Sequence, residues 1–384
     1  MSTEWRPLSE VREDLRVEWY RSPLPSGRLR ELSRRNDLQG WFQTGGHLAL
    51  FLCTGYLCYQ FWLVEQWIGF AACLLLHGTV GSFFSGVAPH ELGHGTVFRT
   101  RWLNKFFLYL FSLFSWWDIY DYGSSHTYHH RYTQYVEGDR ENVYPLVPSL
   151  APFALLQLFT VNLFSVPGRN FSKGGLFSTV FITIKSALGI VGSTENVSRE
   201  WIDALHNDQP AERDRSKWWS RLQLLFHGSL LAGSLSADLW VLPILLSTFP
   251  FIGNWLVYFV GTTQHCGLRG DIPDFRKNTR STRINPIASF LYWRMNWHTE
   301  HHMYAGVPCY NLKKLAEEIA DDMPEPKSTI GAWKEMREIW HKQQADPTYQ
   351  YDMPLPAPAK QTRSDKVDED LEGSIGELAP EGLR

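Results

Sequence analysis

The two longest stretches of this 384-residue chain without lysine or arginine are residues 36–98, 63 in number, and residues 222–268, 47 in number. A helix of roughly 20 apolar residues crosses a bilayer, so each stretch has room for two such helices and a turn. In the first, residues 47–64 and 67–88 are near-continuous apolar runs separated only by Glu65 and Gln66, which predicts a helical hairpin with a tight turn. In the second, residues 222–249 are broken mainly by Gln223, His227 and Asp238, and residues 251–261 follow Pro250. A second hairpin turning near Pro250 is expected. Arg or Lys occurs everywhere else, including eight Arg in the first 35 residues, so the positive-inside bias puts both turns outside and both termini on the cytoplasmic side. The expectation is an all-α integral membrane protein with four transmembrane helices in two hairpins. A soluble helical protein whose core helices mimic spans is the weaker alternative.

Between the hairpins lie shorter apolar pieces, 106–117, 151–166 and 176–191, which are expected to lie in the membrane interface with Trp116 and Trp117 at headgroup level. After Tyr310, Leu312, Leu315 and Ile319 fall on one face, with Lys313/Glu317 and Lys314/Glu318 spaced for i,i+4 pairs, so an amphipathic cytoplasmic helix should end before Pro324. From about Asp346 the chain becomes Pro-rich and then acidic, the composition of a disordered tail. The organisation expected is therefore a cytoplasmic N-terminal segment (1–40), a membrane domain (41–323), a cytoplasmic extension (324–345) and a tail (346–384). The start, MSTEWRPLSEVRED, has no apolar core behind a basic end and does not read as a cleaved signal peptide. Cys53, Cys58, Cys73, Cys266 and Cys309 are scattered and odd in number, which suits buried thiols in a reducing compartment better than disulfides. A net charge of −3 provides no basic field for nucleic acid.

The histidines carry the chemistry. Eight of the fourteen fall into three clusters: His90 and His94 in HELGH, His126, His129 and His130 in HTYHH, and His298, His301 and His302 in HTEHH. On a helix, positions i, i+3 and i+4 project from one side, so each cluster aims imidazoles at a common point. Neutral imidazole suits Fe, Zn, Cu and Ni. Eight ligands exceed the four positions of one tetrahedral zinc, so at least two metal ions are implied. A ninth candidate, His265 in GTTQHCG, lies at the cytoplasmic end of the last apolar run. His47, His77, His206, His227 and His341 are isolated; His77 and His227 read as hydrogen-bonded core residues, and the other three as solvated. HELGH also satisfies the HExxH pattern of zinc proteases, in which Glu91 would be the general base. That reading leaves both HxxHH clusters without a role, so Glu91 is expected to point away from the metals or to support their ligands.

HELGH followed by GTVFRTRWLN, then SSHTYHHRYTQ, then NWHTEHHMYAGVPCYNLKKL, together with the hairpins around them, resembles the membrane fatty acid desaturase superfamily from about Trp41 to Met323. The resemblance implies a cytoplasmic helical cap holding two iron ions beneath the four membrane helices. It implies O2 as co-substrate and an acyl chain of a lipid or fatty acid as substrate. Carried over by position, the ligands would be His90, His94, His126, His129, His130, His265, His298, His301 and His302. The chain differs from many acyl-CoA desaturases in having one residue fewer between the first-box histidines, Gly261 where some place an Asn, and Ala305 in place of a proline. Desaturation is the expected reaction, with hydroxylation of a lipid or hydrophobic metabolite on the same centre as the alternative.

Removing hydrogen from an unactivated CH2 requires an oxidant no side chain supplies, so a redox metal and O2 must carry it. Metal-bound imidazoles also need acceptors for their second ring N–H, and Asp118, Asp121, Glu137, Asp139, Glu141, Asp271 and Asp274 lie near the clusters in sequence. The chain contains no HPGG haem segment, Rossmann fingerprint or ferredoxin-type cysteine spacing. A separate ferredoxin or cytochrome b5 type donor is therefore implied. Arg99, Arg101, Lys105, Arg276, Lys277, Arg280 and Arg283 are candidates for its docking face, or for ordinary headgroup contact.

Overall fold

The computed structural model describes residues 5–141, 150–164, 174–191 and 199–356. Among these residues the fold is almost wholly helical; the two strands, Thr282–Arg283 and Lys327–Ser328, form one short parallel pair. The first hairpin opens at Asn36, whose side chain accepts from the backbone N–H of Leu38 and Gln39 and so caps the helix Asp37–Leu63. Its outgoing arm thus starts ten residues before the apolar run does. Glu65 takes a left-handed conformation (φ 55°), and Gln66 N–H bonds back to Phe61 O at 2.9 Å, which closes the turn where the sequence predicts it. The chain returns through Trp67–Gly81, a 3-10 turn at Ser82–Phe84, and the short helix Val87–Gly93. Trp67–Gly93 is a helical run long and apolar enough to cross a membrane.

The second hairpin corrects the sequence reading. Its outgoing helix, Pro210–Ser236, ends at Asp238 (φ 57°), where Leu239 N–H bonds to Ser234 O at 2.8 Å. The turn is therefore at 237–240 rather than near Pro250. Hydropathy missed it because the apolar run continues through the turn, with a single carboxylate marking it. Pro250 instead interrupts the return arm, which is split into Val241–Ser247, Phe249–Phe251 and Trp255–Gly261. Both return arms are broken, and their breaks touch. A Cβ on Gly78 would lie 2.1 Å from Ile252 O, so only glycine permits that approach. Thr79 Oγ1 donates to Gly253 O at 2.8 Å.

Broken helices leave terminal carbonyls without intrahelical partners, and where these are buried another donor must meet them. Three isolated histidines do so here: His47 Nε2 lies 3.0 Å from Val80 O, His77 Nε2 3.0 Å from Leu245 O, and His227 Nε2 2.9 Å from Leu113 O. His77 and His227 are thus bonded core residues, whereas His47, expected to be solvated, is fully buried and also accepts from Trp293 Nε1 at 3.0 Å. Trp116 and Trp117 depart from expectation in the same way. Both are buried; Trp116 donates to Ser247 O at 2.9 Å and stacks on His227 with centroids 3.8 Å apart.

Leu312, Leu315 and Ile319 turn inward from Leu312–Glu318 as the amphipathic pattern requires. Lys313 reaches Glu317 at 3.7 Å, but Glu318 pairs with Arg28 rather than Lys314. The helix Thr329–Ala345 is capped by Ser328 and anchored by Trp333, whose Nε1 donates to Phe259 O at 2.8 Å. Beyond it, Met353 is buried and Tyr351 donates to Glu335. Residues 357–384 of the expected tail lie outside the described residues.

Candidate metal centre

Gly86 (φ 87°) redirects the chain after the first break, so that Val87–Gly93 carries His90 and His94 inward. Asp118 caps Ile119–Tyr132 by accepting from Tyr120 and Asp121 N–H, and that helix carries His126, His129 and His130. His298–Met303 carries the third cluster, and His265 follows the last arm of the second hairpin. All nine sequence-selected histidines come together. They form two groups, His90, His94, His126, His130 and His301, and His129, His265, His298 and His302, with the nitrogens of each group within 4.8 Å of one another. The split follows helical geometry. In each HxxHH helix, the i and i+4 residues face one group and the i+3 residue faces the other, in opposite senses for the two helices. Eight of the nine are buried and His130 is half-buried.

The ring nitrogens indicate what the groups can hold. His129 Nδ1 lies 2.8 Å from Asp139 Oδ2, His90 Nδ1 2.9 Å from Glu91 Oε1, His265 Nδ1 3.1 Å from Asn278 O, and His302 Nδ1 3.1 Å from Thr133 Oγ1. Carboxylates and a carbonyl accept protons, so His129, His90 and His265 carry theirs on Nδ1 and turn an Nε2 lone pair inward. Inside the groups, Nε2 faces Nε2: His265 and His298 at 2.8 Å, His298 and His302 at 3.1 Å, His130 and His301 at 3.3 Å. His90 Nε2 is buried without a hydrogen-bond partner. Converging lone pairs repel unless a cation lies among them. At about 2.1 Å from each nitrogen, one divalent ion would put opposed ligands about 4.2 Å apart, within the spread seen here. The residues fit one metal ion per group.

Electrostatics agree. Burial, and then neighbouring imidazoles, hold His126, His130, His298, His301 and His302 well below the ordinary histidine range, so they are neutral at pH 7, the form that can bind a metal. Burial pushes His265 down to about 3. His129 is the exception: burial opposes its charge, but Asp139 outweighs it and raises the pKa.

Of the seven acids near the clusters, Asp139 touches a site histidine and Glu141 Oε1 lies 4.0 Å from His126 Nδ1. Asp118 is a helix cap, Asp121 pairs with His206, Glu137 with Arg6 and Asp274 with Arg276, while Asp271 is exposed. His206, expected to be solvated, is thus held 2.8 Å from Asp121, whereas His341 is exposed as expected. Glu91 lies behind the rings, also 3.7 Å from His301 Nδ1. Sequence reasoning did not find Thr133, Gln264 or the Asn278 carbonyl. Thr133, one helical turn after His129, was the findable one. Two of the basic residues are also corrected: Arg276 and Arg280 are buried, the first between Asp274 and Asp322, the second against Glu335 and Thr263 O, so neither offers a docking charge.

One cavity is lined both by residues of the two helix breaks, among them Ser82, Gly86 and Pro250, and by His90, His129 and His298. Three of its hydroxyls turn away: Ser82 donates to Thr79 O, Ser115 to Phe84 O and Thr262 to Tyr258 O. The wall that remains is largely aromatic and hydrocarbon, chemistry suited to an apolar chain.

Residues 65–333 match the family described as fatty acid desaturase. The chain is 22% identical over 354 residues to the sn-1 oleoyl-lipid 12-desaturase of Picosynechococcus sp., an alignment covering 86% of this chain and 90% of that protein.

Proposed function

Since the chain belongs to the fatty acid desaturase family and is an oxidoreductase of lipid metabolism, we propose that it introduces a double bond into the acyl chain of a lipid, using O2 and two iron ions. The ligands in this reading are His90, His94, His126, His130 and His301 for one ion and His129, His265, His298 and His302 for the other. The observation that carries it is the pair of histidine groups, each drawing on both HxxHH helices and both opening on one cavity. A lone HExxH zinc site would leave the second group without purpose, and Glu91 lies behind its ring rather than on the Nε2 side where a base would act.

Bound iron would supply the activation of O2 that no side chain can. The protein's contribution is orientation. Asp139, Glu91 and the Asn278 carbonyl hold Nδ1 protons and so keep Nε2 available. Gln264 Nε2 lies 3.1 Å from His298 Nδ1, and for His298 to bind in the same way the amide would turn its oxygen there instead. The cavity wall holds the acyl chain and excludes water. Converting CH2–CH2 and O2 to CH=CH and two waters takes two electrons and two protons from outside, which a ferredoxin or cytochrome b5 type donor supplies.

Four crossings in two hairpins, with the cap and both termini cytoplasmic, complete the proposal. It is supported by an exposed apolar belt that includes Leu52, Leu57, Ile68, Leu76, Leu225 and Leu235. In this scheme 41–323 is the membrane domain, flanked by cytoplasmic 1–40 and 324–345. An acyl-lipid is the substrate class that the Picosynechococcus relative's name gives. Expression with a matched donor in a host lacking desaturases, followed by mass spectrometry of total lipids, tests the reading. Products lighter by two hydrogens support it. Products heavier by one oxygen would replace it with hydroxylation, and an unchanged profile from iron-loaded protein would remove bulk lipid as substrate.

A further inference from the structure

We infer that Trp19 is the point at which a one-electron carrier protein delivers its electron, which passes through Phe275 to His302 and the metal of the second group. This rests on the proposal that the nine histidines hold redox metals supplied from outside. Electron tunnelling weakens steeply with distance, so entry is favoured where few atoms separate the surface from a ligand. Trp19 is partly exposed on the N-terminal segment and lies outside the cavity. Its ring lies flat on Phe275, centroids 4.1 Å apart and 10° from parallel. Phe275 is 1% exposed, and its ring is 5.7 Å from that of His302. The indole also reaches the other group: Nε1 donates to Arg131 O at 2.9 Å, one residue from His130. One tryptophan thus stands a single residue away from a ligand of each group.

Two other rings at the groups are partly exposed: His130 itself, which Trp19 flanks through its bond to Arg131 O, and Tyr122, which is stacked on His126 with centroids 4.9 Å apart and lines the cavity. An acyl chain seated there would block a carrier protein. Trp19 leaves the substrate side free, so donor and substrate can be bound together. The step would be an outer-sphere transfer: the carrier's cluster or haem iron would lose one electron, a metal ion held by the second group would gain it, and no bond would form or break. Two such deliveries meet the need of one desaturation. A large flat aromatic at the surface is also the type of residue that dominates protein docking energetics.

The test mixes iron-loaded, detergent-solubilised protein anaerobically with reduced plant-type [2Fe–2S] ferredoxin, with reduced soluble cytochrome b5, and separately with reduced methyl viologen. Trp19→Leu should slow reduction by the better carrier by about tenfold or more with the viologen rate unchanged, and because Trp19→Phe loses the same hydrogen bond to Arg131 O, it is the control for any loss of stability. Trp19→Phe, which keeps a ring on Phe275, should retain most of the rate. In a second measurement, which needs neither variant nor metal, the carrier should protect Trp19 from hydroxyl-radical oxidation in the metal-free wild-type protein. Equal carrier rates for Trp19→Leu and wild type, an unprotected Trp19, or reduction of wild type by viologen but by neither carrier would each overturn the inference. Absence of bound iron would instead overturn the reading beneath it.

Discussion

The rings of His130 and His302 lie face to face, centroids 4.4 Å apart and 15° from parallel, although each belongs to a different histidine group. The two groups therefore share a wall, and neither HxxHH helix can shift without disturbing both. Purified protein is expected to carry two iron ions per chain and little zinc, and His302→Ala to lower occupancy of both positions. Elemental analysis after mild detergent extraction measures this. One zinc and no iron would put the HExxH reading first.

Asp139 lies fully behind His129, 2.8 Å from its Nδ1, and also accepts from Gln134 N–H. Asp139→Asn keeps the shape but removes the charge that fixes the imidazole's proton. Iron affinity should fall by about 10- to 100-fold, read as faster loss of iron to a chelator. Retention equal to wild type would mean that Asp139 serves the fold and not the metal.

His47 satisfies a carbonyl that the helix break frees, so its role is structural. His47→Phe should cost about 1–3 kcal/mol in stability, the penalty for an unsatisfied buried carbonyl, and leave iron content intact. His341→Ala, at an exposed position, should change neither. Thermal unfolding in detergent, run beside iron analysis, separates the two effects. Loss of iron in the His47 variant at full stability would contradict the assignment.

His206 is paired with Asp121, and although burial opposes its charge, the hydrogen bond and charge of Asp121 raise its pKa above the ordinary value. A raised folded-state pKa adds stability that is complete below the unfolded pKa, about 6.5, and is lost as pH rises through the folded pKa. The stability difference between wild type and His206→Gln should therefore be largest near pH 5 and shrink above neutrality. Taking the difference removes the titration common to both proteins. A gap that widened with pH would reverse the assignment.

The sequence revealed what periodicity and charge record. The eight clustered histidines stood out because spacing on a helix is a local property, His265 because it follows the last apolar run, and the Glu65 turn because a pair of polar residues separates the apolar runs on either side. The turn at Asp238 was hidden because the run through it stays apolar. Contacts between distant segments leave no local mark: the Asn278 carbonyl behind His265, the seat of Gly78 on Ile252, and the burial of Trp116 and Trp117 follow only once the hairpins are packed. Arg276 and Arg280 read as surface charges because their partners, Asp322 and Glu335, lie about fifty positions downstream.

The broken return arm of the second hairpin depends on segments of the chain made earlier. Leu245 O is met by His77, Ser247 O by Trp116, and Gly253 O by Thr79, and in each pair the donor precedes the acceptor in sequence. During synthesis, residues 241–261 thus emerge after their partners have been made. Order of emergence then becomes an element of the folding code: a permuted chain that delivered this segment first would leave three backbone carbonyls waiting for donors not yet made.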